Sequence, residues 1–356
     1  MSARLVIVEP GLATTVQDRG RFGLQRFGIP PSGALDPEGL AIANALAGNA
    51  PDAAALEMRV LGPTLRAEGG PVRLAVAGAT VQMMLRDAEP MALAAGGPSP
   101  PISGWRTVTL SPGATLKVGA LSEGATGYIA VAGGIAVPPT LGSAATLTRA
   151  ALGGYQGRAL AAGDAIAVEG TPPGGLERHL PNPPKPPPGW PCLSVRVVLG
   201  PQADHFTDAA IETFLSARWR VSAKADRMGM RLEGPVLAHH PKPKGADITS
   251  DGIVTGAVQV PASGQPILLL VDRQTSGGYA KIAAAITADL PALGRLAPAG
   301  EIRFQAVSAA EGAALAQAAA GRLQRLIASI APLPKAGLSL EALHAENLIQ
   351  PPIDDL

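Results

Sequence analysis

A mainly β fold with some helix, divided into two domains, is what this sequence predicts. Three observations lead there. Apolar runs are short and are broken again and again by Gly, Pro and Asp, the pattern of brief strands joined by tight turns. Gly (43) and Pro (35) together make up about a fifth of the 356 residues, more than a helical protein tolerates. The third is a proline-rich segment near the middle, Thr171 to Pro191, which holds Pro172-Pro173-Gly174-Gly175 and then Pro181-Asn182-Pro183-Pro184-Lys185-Pro186-Pro187-Pro188. Successive prolines forbid helix and favour an extended, semi-rigid spacer. The expected layout is a β domain over 1–170, a linker over 171–191, a second β domain with a long final helix over 192–330, and a tail over 331–356. Hydrophobic residues reach 47% but aromatics only 3%, so both cores must rest on Val, Ile, Leu and Ala.

The elements follow in chain order. Strands are expected at Leu5–Glu9, Val72–Ala77, Val81–Leu85, Thr107–Leu110, Thr115–Gly119, Gly127–Ala132 and Ala165–Val168 in the first half. In the second they are expected at Ser194–Leu199, Met230–Glu233, Ala257–Pro261, Ile267–Val271 and Glu301–Phe304. Runs this short suit barrels or sandwiches. A helix over Pro37–Ala47 follows Asp36, a good N-cap, with proline at its first position. Thr207–Ala217 and Tyr279–Asp289 are further helix candidates. Ala309–Ile330 is alanine-rich, with Leu315, Leu323 and Leu326 placed for a long helix. A short helix is expected in the tail near Ser339–Glu346. The two halves also share a grammar: an apolar strand, then a Gly-Arg turn (Gly157-Arg158, Gly294-Arg295), a Gly-acid turn (Gly163-Asp164, Gly300-Glu301) and a closing strand. That reads as a duplicated β-rich unit.

Charge excludes several partners. With 29 basic and 28 acidic residues the net charge is +1, which builds no field for nucleic acid or anionic lipid. A single cysteine, Cys192, cannot form an internal disulfide, and the opening apolar run is too short for a secretory signal. No stretch approaches the ~20 apolar residues that cross a bilayer. A soluble, cytoplasmic protein is expected. Walker A, Rossmann and Gly-x-Ser-x-Gly signatures are absent, and no Met-Lys-Met marks a biotin-attachment site. His239-His240 lacks a flanking Cys or carboxylate cluster, so no metal site is expected.

Two dense polar stretches stand out. The first runs through Thr14-Thr15-Val16-Gln17-Asp18-Arg19-Gly20-Arg21, Pro30-Pro31-Ser32-Gly33-Ala34-Leu35-Asp36, Asn44, Asn49 and Glu57. The second runs through Asp226-Arg227-Met228-Gly229-Met230-Arg231, Ser250-Asp251-Gly252, Ala257-Val258-Gln259-Val260-Pro261 and Asp272-Arg273-Gln274-Thr275-Ser276-Gly277-Gly278-Tyr279. In order and spacing they resemble the signature of the biotin-dependent carboxyltransferase-like family. Its members include the carboxyltransferase domain of urea carboxylase, the antagonist of a sporulation-kinase inhibitor, and the third subunit of bacterial 5-oxoprolinase. The resemblance runs from about residue 5 to about residue 305. It implies two cyclophilin-like β-barrel domains with a cleft between them, plus a C-terminal helix.

The resemblance also implies chemistry on an amide, which needs donors for the carbonyl oxygen, acceptors for the nitrogen and a cation for any carboxylate or phosphate. Gln17 and Gln259 each offer a donor and an acceptor. Arg19, Arg21 and Arg227 can fork onto oxyanions. Asp18 and Asp272 are candidate bases or orienters of those arginines, Gln274 a further cleft residue, and Tyr279 a residue to stack on a ligand. Plainer roles stand beside these: Asp18 as a turn anchor, Asp226-Arg227 as an ordinary ion pair, Tyr279 as a cover for a barrel end. Asp36, Asn44, Asn49 and Glu57 read as structural. The chain departs from the family pattern at Ala144-Ala145, where Arg and Ser are usual, at Arg295 in place of glutamine, and at Ala280 in place of a common proline.

Among the family's activities, a chain without biotin-carboxylase or biotin-carrier portions points first to ATP-dependent opening of the lactam of 5-oxo-L-proline to L-glutamate. Two partner subunits are expected, one kinase-inhibitor-like and the other a lactam-utilisation protein. ATP would be shared among the three chains, and this one carries no biotin. The alternatives are a carboxyltransferase component acting on urea or a related amide, and a non-catalytic regulator binding a kinase-inhibitor-like partner.

Overall fold

The computed structural model describes residues 2–88, 100–170, 175–241 and 244–334. Part of the proline-rich linker and the expected helix at Ser339–Glu346 lie outside them.

The first half is built from β1 (Arg4–Glu9), β2 (Ala13–Gln17), α1 (Pro37–Ala47), β3 (Ala55–Arg59), β4 (Thr64–Glu68), β5 (Val72–Ala77), β6 (Thr80–Arg86), β7 (Ile102–Ser103), β8 (Arg106–Leu110), β9 (Thr115–Ser122), β10 (Thr126–Val131), β11 (Ala165–Ala167) and β12 (Arg178–His179). The second contains β13 (Cys192–Leu199), α2 (Asp208–Ser216), β14 (Trp219–Val221), β15 (Gly229–Glu233), β16 (Asp247–Gly252), β17 (Ala257–Gln259), β18 (Ile267–Leu269), β19 (Ser276–Tyr279), β20 (Lys281–Ala285), α3 (Leu290–Arg295), β21 (Glu301–Ala306), α4 (Ala309–Ala328) and β22 (Ala331–Pro332).

In the first half two sheets enclose one core. One is ordered β11-β1-β4-β9-β6-β7 and the other β2-β3-β10-β5-β8-β12-β22. Alternation along β5 shows why they stack: Leu74 and Val76 enter the core between the sheets, while Ala75 and Ala77 lie under α1 with Leu40, Ala43 and Leu46. Small side chains on that outer face let the helix sit close. Asp36 starts α1 as expected, its Oδ1 accepting from the backbone N–H of Glu38 (3.1 Å) and Gly39 (3.0 Å).

The second half closes into a seven-stranded barrel, β13-β20-β17-β18-β15-β14-β21. Its interior holds Val195, Val197, Val258, Val260, Leu268, Ile282 and Ile302. Phe214 of α2 stacks on Phe304 at 4.3 Å and plugs one side. A two-stranded ribbon, β16 with β19, lies outside the barrel, where Ile253 packs on Ala257, Ile267 and Leu269.

Three expectations change. Tyr279–Asp289 is not a helix: it holds the end of β19, strand β20 and a 3-10 turn at Thr287–Asp289. Its alanines are a stave covered on both faces, where no apolar–polar alternation exists to announce a strand. The linker is also more than a spacer, since Arg178–His179 pairs with β8 and, after α4, with β22. Finally, α4 packs Leu323, Leu326 and Ile327 against the α1 side of the first half. As for the shared turn grammar, the strand after the first Gly-acid turn meets β1 antiparallel (β11 on β1), whereas the strand after the second, β21, runs parallel to β13. Similar turns therefore join different strand connections. Among the described residues no helix is long and apolar enough to cross a membrane.

Candidate functional site

The seam between the halves is a buried ion network centred on Arg227. Its Nε lies 2.8 Å from Asp272 Oδ2, its Nη2 donates to Gly33 O at 2.6 Å, and its Nη1 donates to Glu57 Oε1. Glu57 sits on β3, and its Oε2 accepts from Leu35 N–H (2.8 Å) and the Tyr128 hydroxyl (2.7 Å). Asp272 Oδ1 accepts from the Ser32 hydroxyl at 2.6 Å. Burial works against the Arg227 charge, but Glu57 and Asp272 more than offset it and hold its pKa above the ordinary arginine value. Burial pushes the Tyr128 phenol well up, and Glu57 and Asp36 push it further, so it stays a proton donor. Every oxygen of the Glu57 and Asp272 carboxylates has a partner, which makes this an interdomain clamp.

The first polar stretch packs behind that clamp. Gln17 ends β2, and its Nε2 donates to Thr15 Oγ1 and Thr146 O, both at 3.1 Å. Asp18 accepts from Gly20 N–H (2.7 Å), the Ser143 hydroxyl (2.6 Å) and Ala144 N–H (2.6 Å). It therefore anchors the 143–146 loop. Arg21 is buried and donates to Ala145 O. Burial depresses its pKa, with Asp18 and Asp272 opposing. Arg19 is exposed, its guanidinium 5.7 Å from the Phe22 ring, beside a separate groove lined by Pro37, Leu40 and Asp52.

Gln259, Gln274 and Tyr279 come together elsewhere, in a cavity of ≈ 280 Å³ on the outer wall of the barrel. Arg149, Lys224, Asp226 and Arg231 share its lining. That volume is at the small end of ligand pockets. Gln274 Nε2 donates to Gln259 Oε1 at 3.2 Å, and Gln259 Nε2 is buried with no partner among the described residues. Asp226 is engaged by the backbone N–H of Met228 and Gly229. Arg149 touches the Met228 sulfur. Arg149, Lys224 and Arg231 form no ion pair with any described residue. The cavity therefore joins two amide side chains and Asp226 to three cations that form no ion pair with any described residue, one of them from the first half.

Of the residues singled out from sequence, three line this cavity, Arg227 and Asp272 form the clamp beside it, and Gln17, Asp18 and Arg21 support the loop that leads to Arg149. Sequence reasoning missed Arg149 and Lys224, which sit in no recognisable pattern. Arg231 had a signal: it alternates with Met230 and Leu232, which point into the barrel. His239 Nε2 lies 3.0 Å from Val260 O, and its ring packs 4.6 Å from Phe206. Among the described residues no group of three His, Cys, Asp or Glu is placed to hold a metal.

Comparison with known proteins fits this arrangement into a family. The family model described as carboxyltransferase domain, subdomain A and B, matches residues 27–306. The chain belongs to that family. Within it, the C subunit of 5-oxoprolinase from Escherichia coli (strain K12) is 34% identical over 304 residues, covering 84% of this chain and 90% of that one. The corresponding protein of Haemophilus influenzae is 36% identical over 305 residues, covering 85% and 90%. Among solved structures, the K. lactis urea amidolyase superposes with a TM-score of 0.80 at 27% identity, covering 91% of this chain but 20% of that much longer protein.

Proposed function

We propose that this chain is the C subunit of an ATP-dependent 5-oxoprolinase, which opens the lactam of 5-oxo-L-proline to L-glutamate. It would act with two partners, a kinase-inhibitor-like chain and a lactam-utilisation chain. The observation that carries this reading is the pairing of Gln259 and Gln274 with the cations Arg149, Lys224 and Arg231 around one small cavity. 5-Oxoproline carries a cyclic amide and a carboxylate. The amide matches the glutamines, each of which offers both donor and acceptor. The carboxylate matches the arginines. Neutral urea offers no carboxylate to these cations. The two relatives named as C subunits of 5-oxoprolinase are covered over nearly their whole length, which supports the same choice.

A carboxyltransferase role on urea or a related amide is the second reading, favoured by the structural likeness to urea amidolyase. It needs a biotin-bearing partner. One assay separates the two. The chain, mixed with its partners and ATP, should release glutamate from 5-oxoproline without biotin. In that assay Gln259→Ala should lower kcat about 100-fold, the usual loss for one carbonyl-directed donor, and Arg231→Ala should raise KM about tenfold, as expected for a lost charged contact to the carboxylate. Carboxylation of urea that depends on a biotin-bearing protein, with no lactam cleavage, would reverse the choice.

A further inference from the structure

The outer wall of the barrel in the second half hides a charged group that its fold does not explain. Lys281 opens β20 directly across from Gln259 on β17. Partners in antiparallel register point to the same face. Val258, Val260, Ala280 and Ile282 fill the barrel interior, so Gln259 and Lys281 face outward. That outer face is not open to water, because the β16–β19 ribbon lies across it. Gln259 is 1% exposed and Lys281 6%.

Neither group has the partners its burial calls for. Gln259 Nε2 has none among the described residues. The Lys281 ammonium carries three donors. Its charged contact is Asp251, whose Oδ2 is 3.2 Å away, and no well-aligned hydrogen bond completes its shell. Asp251 is itself 54% exposed on the ribbon, and its other oxygen accepts from Gly252 N–H at 2.7 Å. A carboxylate in water is a weak anchor for a desolvated ammonium. Glycine lets the ribbon come close over Gln259. A Cβ on Gly277 would lie 2.8 Å from Gln259 Nε2. The cavity reaches Gln259 from the other side, and Lys281 stands behind Gln259, outside the cavity's lining.

We propose that Lys281 is a substrate-binding residue: with Gln259 it forms a two-donor seat for the carbonyl oxygen of the amide, and the β16–β19 ribbon shields that seat from water. This deepens the amide reading and rests on it. Negative charge grows on a carbonyl oxygen as its amide is activated. A fixed ammonium in a water-poor setting stabilises that charge more than a neutral amide donor does. Asp251 balances the ammonium while the cavity is empty, and the unused N–H groups of Lys281 remain for the ligand.

The test uses the assembled complex with ATP and 5-oxoproline. Lys281→Met should lower kcat about 100- to 1,000-fold while KM moves less than about tenfold. Added methylammonium should restore part of the activity of Lys281→Ala. Should Lys281→Met not fold, Lys281→Gln, which keeps a donor and loses the charge, carries the same comparison. A purely structural lysine predicts another pattern: Lys281→Met and Asp251→Asn lose thermal stability to the same extent, kcat stays near wild type in the folded fraction, and methylammonium has no effect. That pattern overturns the assignment. A wild-type complex that cleaves no 5-oxoproline removes the amide reading itself, and this role with it, so the two failures are told apart by the wild-type control.

Discussion

Arg227 shows how one side chain can hold two halves together. It reaches Glu57 and Gly33 in the first half and Asp272 in the second, and it is largely withdrawn from water. Removing one partner of such a network leaves buried carboxylates uncompensated. Arg227→Met should therefore destabilise the protein by roughly 3–5 kcal/mol, the cost of breaking a buried pair, read as a lower urea midpoint. Gln259→Ala removes an amide whose Nε2 has no acceptor among the described residues and whose Oε1 accepts one bond, from Gln274, so it should lower that midpoint less than Arg227→Met does. The departures from the family pattern also resolve at this scale. The 143–146 loop works through its backbone: Ala144 supplies an N–H to Asp18, and Ala145 supplies a carbonyl to Arg21. Small side chains there cost it no contact. Ala280, where a proline is common, donates its N–H to Ala246 O at 2.9 Å, a bond proline could not make. Arg295 stands 3.7 Å from Asp36, the buried cap of α1.

At the level of elements, α4 begins with a complete capping box. The Ser308 hydroxyl accepts from Glu311 N–H, and the Glu311 carboxylate accepts from Ser308 N–H at 2.7 Å. Ser308→Ala should cost about 1 kcal/mol, seen as a small drop in melting temperature. That loss bears on more than the helix, because α4 lays its leucines on the first half and is followed by β22, which pairs with the linker strand β12. The ends of the second half are thus tied to the first. The ribbon β16–β19 is the opposite kind of element: exposed, rich in polar residues, and fixed to the barrel through Ile253. Its paired strands carry Asp251 on one side and Gly277 and Tyr279 on the other, all beside the candidate site. Gln25 of the first half holds the ribbon's edge, its Nε2 donating to Ile253 O (2.8 Å) and Thr275 O (3.2 Å). Burial brings the neighbouring Arg273 down to a pKa of about 10.

Across the whole molecule, stability should fall in two stages as pH drops. Burial lowers the pKa of His239 below its ordinary 6.5, with the Val260 carbonyl opposing. A base whose folded pKa is depressed contributes stability that is present above its unfolded pKa and lost as pH falls through the folded one. Melting temperature should therefore decline below about pH 6.5, and His239→Gln should flatten that first decline. The second stage belongs to carboxylates whose pKa is lowered in the fold. Asp164 is held down by Arg158, Asp204 by Lys244 and Asp251 by Lys281. Their contribution is present above the unfolded value of about 4 and lost below it. A single sharp decline, unchanged by His239→Gln, would contradict the assignment.

By itself the sequence determined what depends on short-range physics. Asp36-Pro37 set the start of α1, alanine and leucine spacing marked α4, and turn residues divided the β-rich halves. The order of Gln, Asp and Arg motifs disclosed the family. What the tertiary structure decided was which of those polar residues meet. Gln17, Asp18 and Arg227 look alike in sequence to Gln259 and Gln274, yet the first three are committed to anchoring and only the last two face the cavity. Lys281 carried no motif at all, and β20 was hidden among alanines. The physical reason is that a side chain's role depends on which partners satisfy its donors and acceptors, and those partners come from strands far apart in the chain.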